Sequence, residues 1–121
     1  MRPDSPAHLW DAREAATQIS IFIQGKTLDD YRQDALLRSA VERQFITVGE
    51  ALNRLERADP EVAARVPDLR QIVGFRNILV HGYAEVQNHR VWNTATTRPE
   101  GLIETLDRLL ASAAYPQGAE E

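Results

Sequence analysis

The side chains best able to do chemistry stand together at 75–83, FRNILVHGY. Arg76 is a fixed cation with paired donors suited to phosphate or carboxylate oxygens. His81, with an ordinary pKa near ~6.5, can give or take a proton at neutral pH. Asn77 can orient His81 or a phosphate, and Tyr83 offers a ring and a hydroxyl. The rest of the chain offers little competition. His8 and His89 stand alone, without a second ligand at metal spacing, and no H-E-x-x-H or Glu-x-x-His pair occurs. The glycines form no phosphate-cradling loop, and Ser and His form no triad. No metal and no cofactor is expected.

Helical geometry constrains how these side chains meet. Asn77 and His81 are one turn apart on one face. Arg76 and His81 diverge by about 140° around an ideal helix. They meet at one substrate only if the arginine reaches round, the helix end distorts, or two subunits contribute. Arg76 also falls in the apolar arc of Leu69, Ile72, Val73 and Val80. A charge there is costly unless paired or set in a functional cleft. Two readings stay open. In one, Arg76 pairs with a core carboxylate, His81 caps helix carbonyls and Tyr83 packs its ring. In the other, the core exists to hold the polar groups still.

The elements that must position them read as helices. Ser5-Pro6 predicts an N-cap and first turn, with the helix stopping at Gly25. Thr27-Leu28-Asp29-Asp30 starts a long second helix reaching Arg57 or Ala58, with Leu37, Val41, Val48, Leu52 and Leu55 on one face. Gly49 inside it suits the close approach of a neighbour. Asp59-Pro60-Glu61 opens a short helical turn. Pro67-Asp68 starts the third helix, which ends at Gly82. Asn88 can cap a fourth helix that Pro99 kinks or restarts. The expectation is an all-α antiparallel bundle of four or five helices, one domain over 1–121 with a core at about 7–110 and a frayed tail at 113–121.

Composition sets the bounds. The chain has 121 residues, a formal charge of −4 and no cysteine. That excludes disulfides and thiolate sites and fits a cytoplasmic protein. No apolar run suggests a membrane span. The acidic balance is not that of a general nucleic-acid binder. Of the 14 basic residues only Lys26 is lysine, so any nucleic-acid site must be a local arginine patch.

R-N-I-L-V-H-G-Y matches R-x-x-x-x-H-x-Y, and the chain resembles the HepT-like toxins of the HEPN superfamily. AVERQF and VGEALNRL within 40–55, DLRQIVGFRNILVHGY at 68–83, Val91-Trp92 and Pro99 extend the resemblance over roughly residues 7–110. One departure is Ile46-Thr47-Val48, where the family commonly reads E-I-I before Gly-Glu; Glu50 is kept.

The resemblance implies a homodimer whose paired motifs line a cleft. It implies a metal-independent endoribonuclease, the toxin of a type VII-like toxin–antitoxin module, acting on tRNA or mRNA. Arg76 and His81 would be catalytic, with Asn77 in support. Tyr83 would carry the silencing modification, an O-linked AMP added by an MntA-type nucleotidyltransferase antitoxin. The alternative is a non-catalytic helical partner of a minimal nucleotidyltransferase.

Overall fold

The computed structural model describes residues 1–81 and 87–114, with seven helices and no strand among them. They are α1 (Ser5–Ile23), α2 (Leu28–Gln33), α3 (Ala35–Ala58), α4 (Pro60–Ala63), α5 (Leu69–His81), α6 (Asn88–Thr97) and α7 (Pro99–Ala114). This is the all-α bundle expected from the sequence, with two of the expected segments each cut in two. No helix among the described residues is long and apolar enough to cross a membrane.

Most of the local signals act as read. Gly25 takes a left-handed φ of 74° beyond the end of α1, a conformation that costs glycine nothing. Thr27 caps α2 in a reciprocal box with Asp30 (Asp30 N to Thr27 Oγ1, 3.1 Å; Thr27 N to Asp30 Oδ2, 2.9 Å). Pro99 opens α7, where its missing N–H is harmless.

Four boundaries differ. The expected second helix breaks at Asp34, whose backbone is extended. Its carboxylate accepts from Leu37 N at 3.0 Å and starts α3, while Arg38 Nη1 donates to the freed carbonyls of Tyr31 and Arg32. The break turns Tyr31 fully into the core, 5.5 Å from the Trp92 ring. Ser5 is not an N-cap: it is the first residue of α1, buried, and its Oγ donates to Asp59 Oδ2 at 2.7 Å. Nor does Asn88 cap α6; Gln87 holds that position without a side-chain bond. α7 continues through Ala114, past the expected start of the tail, and residues 115–121 lie outside the described part.

α3 runs through the middle of the bundle, packed by α1 on one side and α5 on another, with α7 behind α1. Leu9, Ile19, Val41, Leu52, Leu55, Val91 and Leu106 are fully buried at the contacts. Each such burial contributes roughly 1.5–3 kcal/mol. The stripe read on α3 is therefore the core of the molecule.

Asp59 closes the far corner. It is buried, caps α4 through Val62 N at 3.3 Å, and accepts from the Arg2 backbone N–H at 2.9 Å and the Ser5 hydroxyl. The Arg2 and Ser5 bonds, followed by that from Val62, hold its pKa below the usual aspartate range against the opposing effect of burial. A depressed folded pKa contributes stability above the unfolded value, near ~3.9, which is lost as pH falls through the folded value. Asp59→Asn, whose amide cannot accept all three of these bonds, is expected to lower unfolding free energy by about 1–3 kcal/mol at neutral pH, the gap to the parent narrowing below about pH 4. Urea unfolding at pH 7 and pH 3 checks this; a gap of the same size at both would remove the carboxylate from the account.

Among the described residues the buried Tyr31 hydroxyl has no hydrogen-bond partner, and burial raises its pKa. Removing a group that satisfies nothing should be neutral or stabilising. Tyr31→Phe is expected to leave the thermal midpoint unchanged or higher, as read by circular dichroism; a clear drop would mean the hydroxyl has a partner in solution.

Candidate functional site

The site begins with a missing side chain. Gly49 lies in α3 facing α5, and a Cβ built on it would fall 2.2 Å from Arg76 Cβ and 2.6 Å from Cγ. Only glycine lets the two helices come this close. The aliphatic stem of Arg76 lies directly on the α3 backbone, as long cationic side chains often lie on apolar surface. Gly49 thus serves the purpose read for it in the sequence.

The head group is then fixed from two sides. Arg76 Nη1 donates to Asn77 Oδ1 at 2.8 Å. Arg76 Nη2 donates to Glu50 Oε2 at 3.4 Å, long for a charge-assisted bond. Nε is buried and, among the described residues, has no hydrogen-bond partner. A quarter of the arginine side chain stays exposed, against 41% for Glu50. The carboxylate that the apolar arc demanded is therefore Glu50, the residue after the glycine. The sequence reading did not place Glu50 in the site; its signal was an arginine facing inward one helix away from a Gly-Glu step.

His81 is the last residue of α5 and is exposed. Asn77, one turn earlier, is exposed too. Arg76 instead points to α3. The structure keeps Asn77 with Arg76 and leaves Arg76 and His81 on divergent faces, as helical geometry required. Val80, between them, is 44% exposed. Tyr83 and Gly82 lie outside the described residues.

A groove of about 520 Å³ runs along another flank of α5. It takes in Ile72, Phe75, Ile78 and, across from them, Arg90 and Arg98, and it leaves out Arg76, Asn77 and His81. Phe75 meets Phe45 edge-on at 5.1 Å on its floor. At the start of α5, Arg98 bonds Asp68 at 2.7 Å and Gln71 at 3.0 Å, beside the left-handed backbone of Asp68 (φ 62°). α5 is thus seated on α3 and pinned at its N-terminus.

Comparison with known proteins identifies the family. The profile of the ribonuclease HepT-like family matches residues 12–109. A Methanocaldococcus jannaschii protein described as a candidate RNase is 29% identical over 74% of this chain and 81% of its own length. One from Caldanaerobacter subterraneus, described likewise, is 31% identical over 60% of this chain and 63% of its own. A second M. jannaschii candidate RNase is 27% identical over 76% and 75%. No solved structure matches the chain. The chain belongs to the HepT-like ribonuclease family.

The close approach at Gly49 has a measurable cost of disturbance. Gly49→Ala gains about 1 kcal/mol of helix propensity but forces Arg76 and α5 outward, for about 1–3 kcal/mol of overpacking. A net loss of up to about 2 kcal/mol in urea unfolding is expected, with the Arg76–Glu50 bond displaced in a crystal structure. A raised midpoint would show that α5 yields freely.

Proposed function

From membership of the HepT-like family and the geometry of α5, we propose that this chain is a metal-independent endoribonuclease toxin. The observation that carries the proposal is Arg76: a guanidinium pinned by its stem on Gly49 and by Asn77 and Glu50, with part of its surface open. Asn77 holds Nη1, and the long bond to Glu50 leaves Nη2 as the donor that a phosphate can take over.

In RNA cleavage the 2′-oxygen attacks the adjacent phosphorus and the bond to the 5′-oxygen breaks. The products are a 2′,3′-cyclic phosphate and a 5′-hydroxyl. The 2′-hydroxyl must lose a proton and the leaving oxygen must gain one. The His81 imidazole serves as base or acid. Arg76 neutralises charge gathering on the phosphate oxygens. Because Arg76 and His81 diverge on one helix, the reaction centre is completed by a second surface. A second copy of the chain supplies it, so that Arg76 and His81 of both copies face one scissile phosphate, and exposed Val80 gives the pair an apolar contact.

Silencing belongs to the same proposal. An MntA-type nucleotidyltransferase transfers AMP from ATP to the hydroxyl of Tyr83, two residues past His81 in the chain: the O–P bond forms as pyrophosphate leaves and the phenol proton is lost. The added bulk and negative charge exclude a polyanionic substrate. A second reading, a non-catalytic partner of that enzyme, draws on the fact that Arg76 already has an acidic partner in Glu50.

His81→Ala and Arg76→Ala are each expected to lower RNA cleavage in the presence of chelator by at least about a hundredfold, and to relieve growth arrest on expression. End-sequencing of cellular RNA, with and without a co-expressed nucleotidyltransferase, reads cut sites; mass spectrometry reads AMP on Tyr83. Complex formation with the transferase but unchanged RNA in every arm would select the second reading.

A further inference from the structure

A substrate phosphate and Glu50 compete for the same guanidinium. The bond from Arg76 Nη2 to Glu50 Oε2 is long, 3.4 Å, and both groups are partly open to solvent. Such pairs contribute little and are readily exchanged. Arg76 is nevertheless well held without the exchangeable partner's charge, because its stem is locked on Gly49 and Nη1 is bonded to Asn77 at 2.8 Å.

A displaced Glu50 has somewhere to go. It lines a groove of about 260 Å³ between α1 and α3 with Asp11, Glu14 and Arg54. Arg54 stands one turn beyond Glu50 on α3, the spacing at which an acid and a following base meet on a helix. Among the described residues no side-chain partner is found for Arg54. Asp11 and Glu14 share the groove, and Glu14 is already engaged by Arg13 at 2.7 Å.

We propose that Glu50 is a positioning residue and displaceable counter-ion: it orients Arg76 in the resting site and swings to Arg54 when an RNA phosphate takes its place. This rests on the ribonuclease reading for its substrate, and deepens it by naming what must leave before the phosphate binds. Charge and positioning then separate by substitution. Glu50→Gln keeps an acceptor for Nη2 and removes the competing charge. Glu50→Ala removes both. Arg54→Ala removes the receiving cation.

The test is steady-state cleavage of a short single-stranded RNA together with the NMR signal of the Arg76 Nε–H, a buried donor, titrated with inorganic phosphate. Glu50→Gln is expected to lower KM about three- to tenfold with kcat within about twofold. Glu50→Ala, which also removes the acceptor that orients the resting guanidinium, should lower KM less than Glu50→Gln does, and broaden the Arg76 signal of the free protein. Arg54→Ala should raise KM about threefold in the parent and not at all in the Glu50→Gln background.

An Arg54 effect of equal size in both backgrounds would mean that Arg54 contacts RNA directly, and the exchange would fall. Identical behaviour of the Gln and Ala variants would remove the positioning role. If the parent cleaves no RNA, the ribonuclease reading fails, and phosphate titration alone judges the exchange: tighter binding by Glu50→Gln, with the Arg76 signal shifting, sustains it, and unchanged binding overturns it.

Discussion

The arrangement of this molecule turns on the approach of two helix backbones at Gly49. A side chain of any size there would hold α5 away from α3, and Arg76 would lose the surface that straightens its stem. Glu50 follows immediately and meets the same arginine at its head. One short step in the chain thus supplies both the space for the cation and its counter-charge. Overpacking and electrostatics act on one side chain at neighbouring points, so small displacements of α5 change both together.

Much of the fold was legible because it rests on local rules. Gly25, the Thr27–Asp30 box and Pro99 each act through backbone conformation or an unmade hydrogen bond, which are properties of a few adjacent residues. The α3 stripe was legible because burial follows helical period. What was not legible depends on distant partners. Ser5 reads as a cap until Asp59, more than fifty residues on, claims its hydroxyl. The break at Asp34 lies in an apolar pattern that continues across it, and only the demand of Tyr31 for the core separates the halves.

For the site, the sequence revealed the tension and not its resolution. Arg76 in an apolar arc called for a carboxylate, but periodicity within α5 says nothing about which residue of α3 lies opposite. The divergence of Arg76 and His81 was a matter of helical angle alone, and the structure keeps it. The arginine-rich, net acidic composition also becomes intelligible. Arg13 pairs with Asp107 and Glu14, Arg70 with Glu56, Arg76 with Glu50 and Arg98 with Asp68. Part of the arginine is thus committed within the fold, and the acidic balance leaves a substrate to find particular cations and not a basic surface.

The Arg98–Asp68 bond has a topological consequence. It joins residues thirty apart and so closes the chain from the start of α5 to the end of α6 into a ring without a covalent staple. The whole motif lies inside that ring. Its clasp is an exposed ion pair, whose strength falls as dissolved salt rises. Ionic strength therefore sets how tightly the ring is buckled, and the freedom of its ends is governed by the composition of the surrounding solution as much as by the sequence between them.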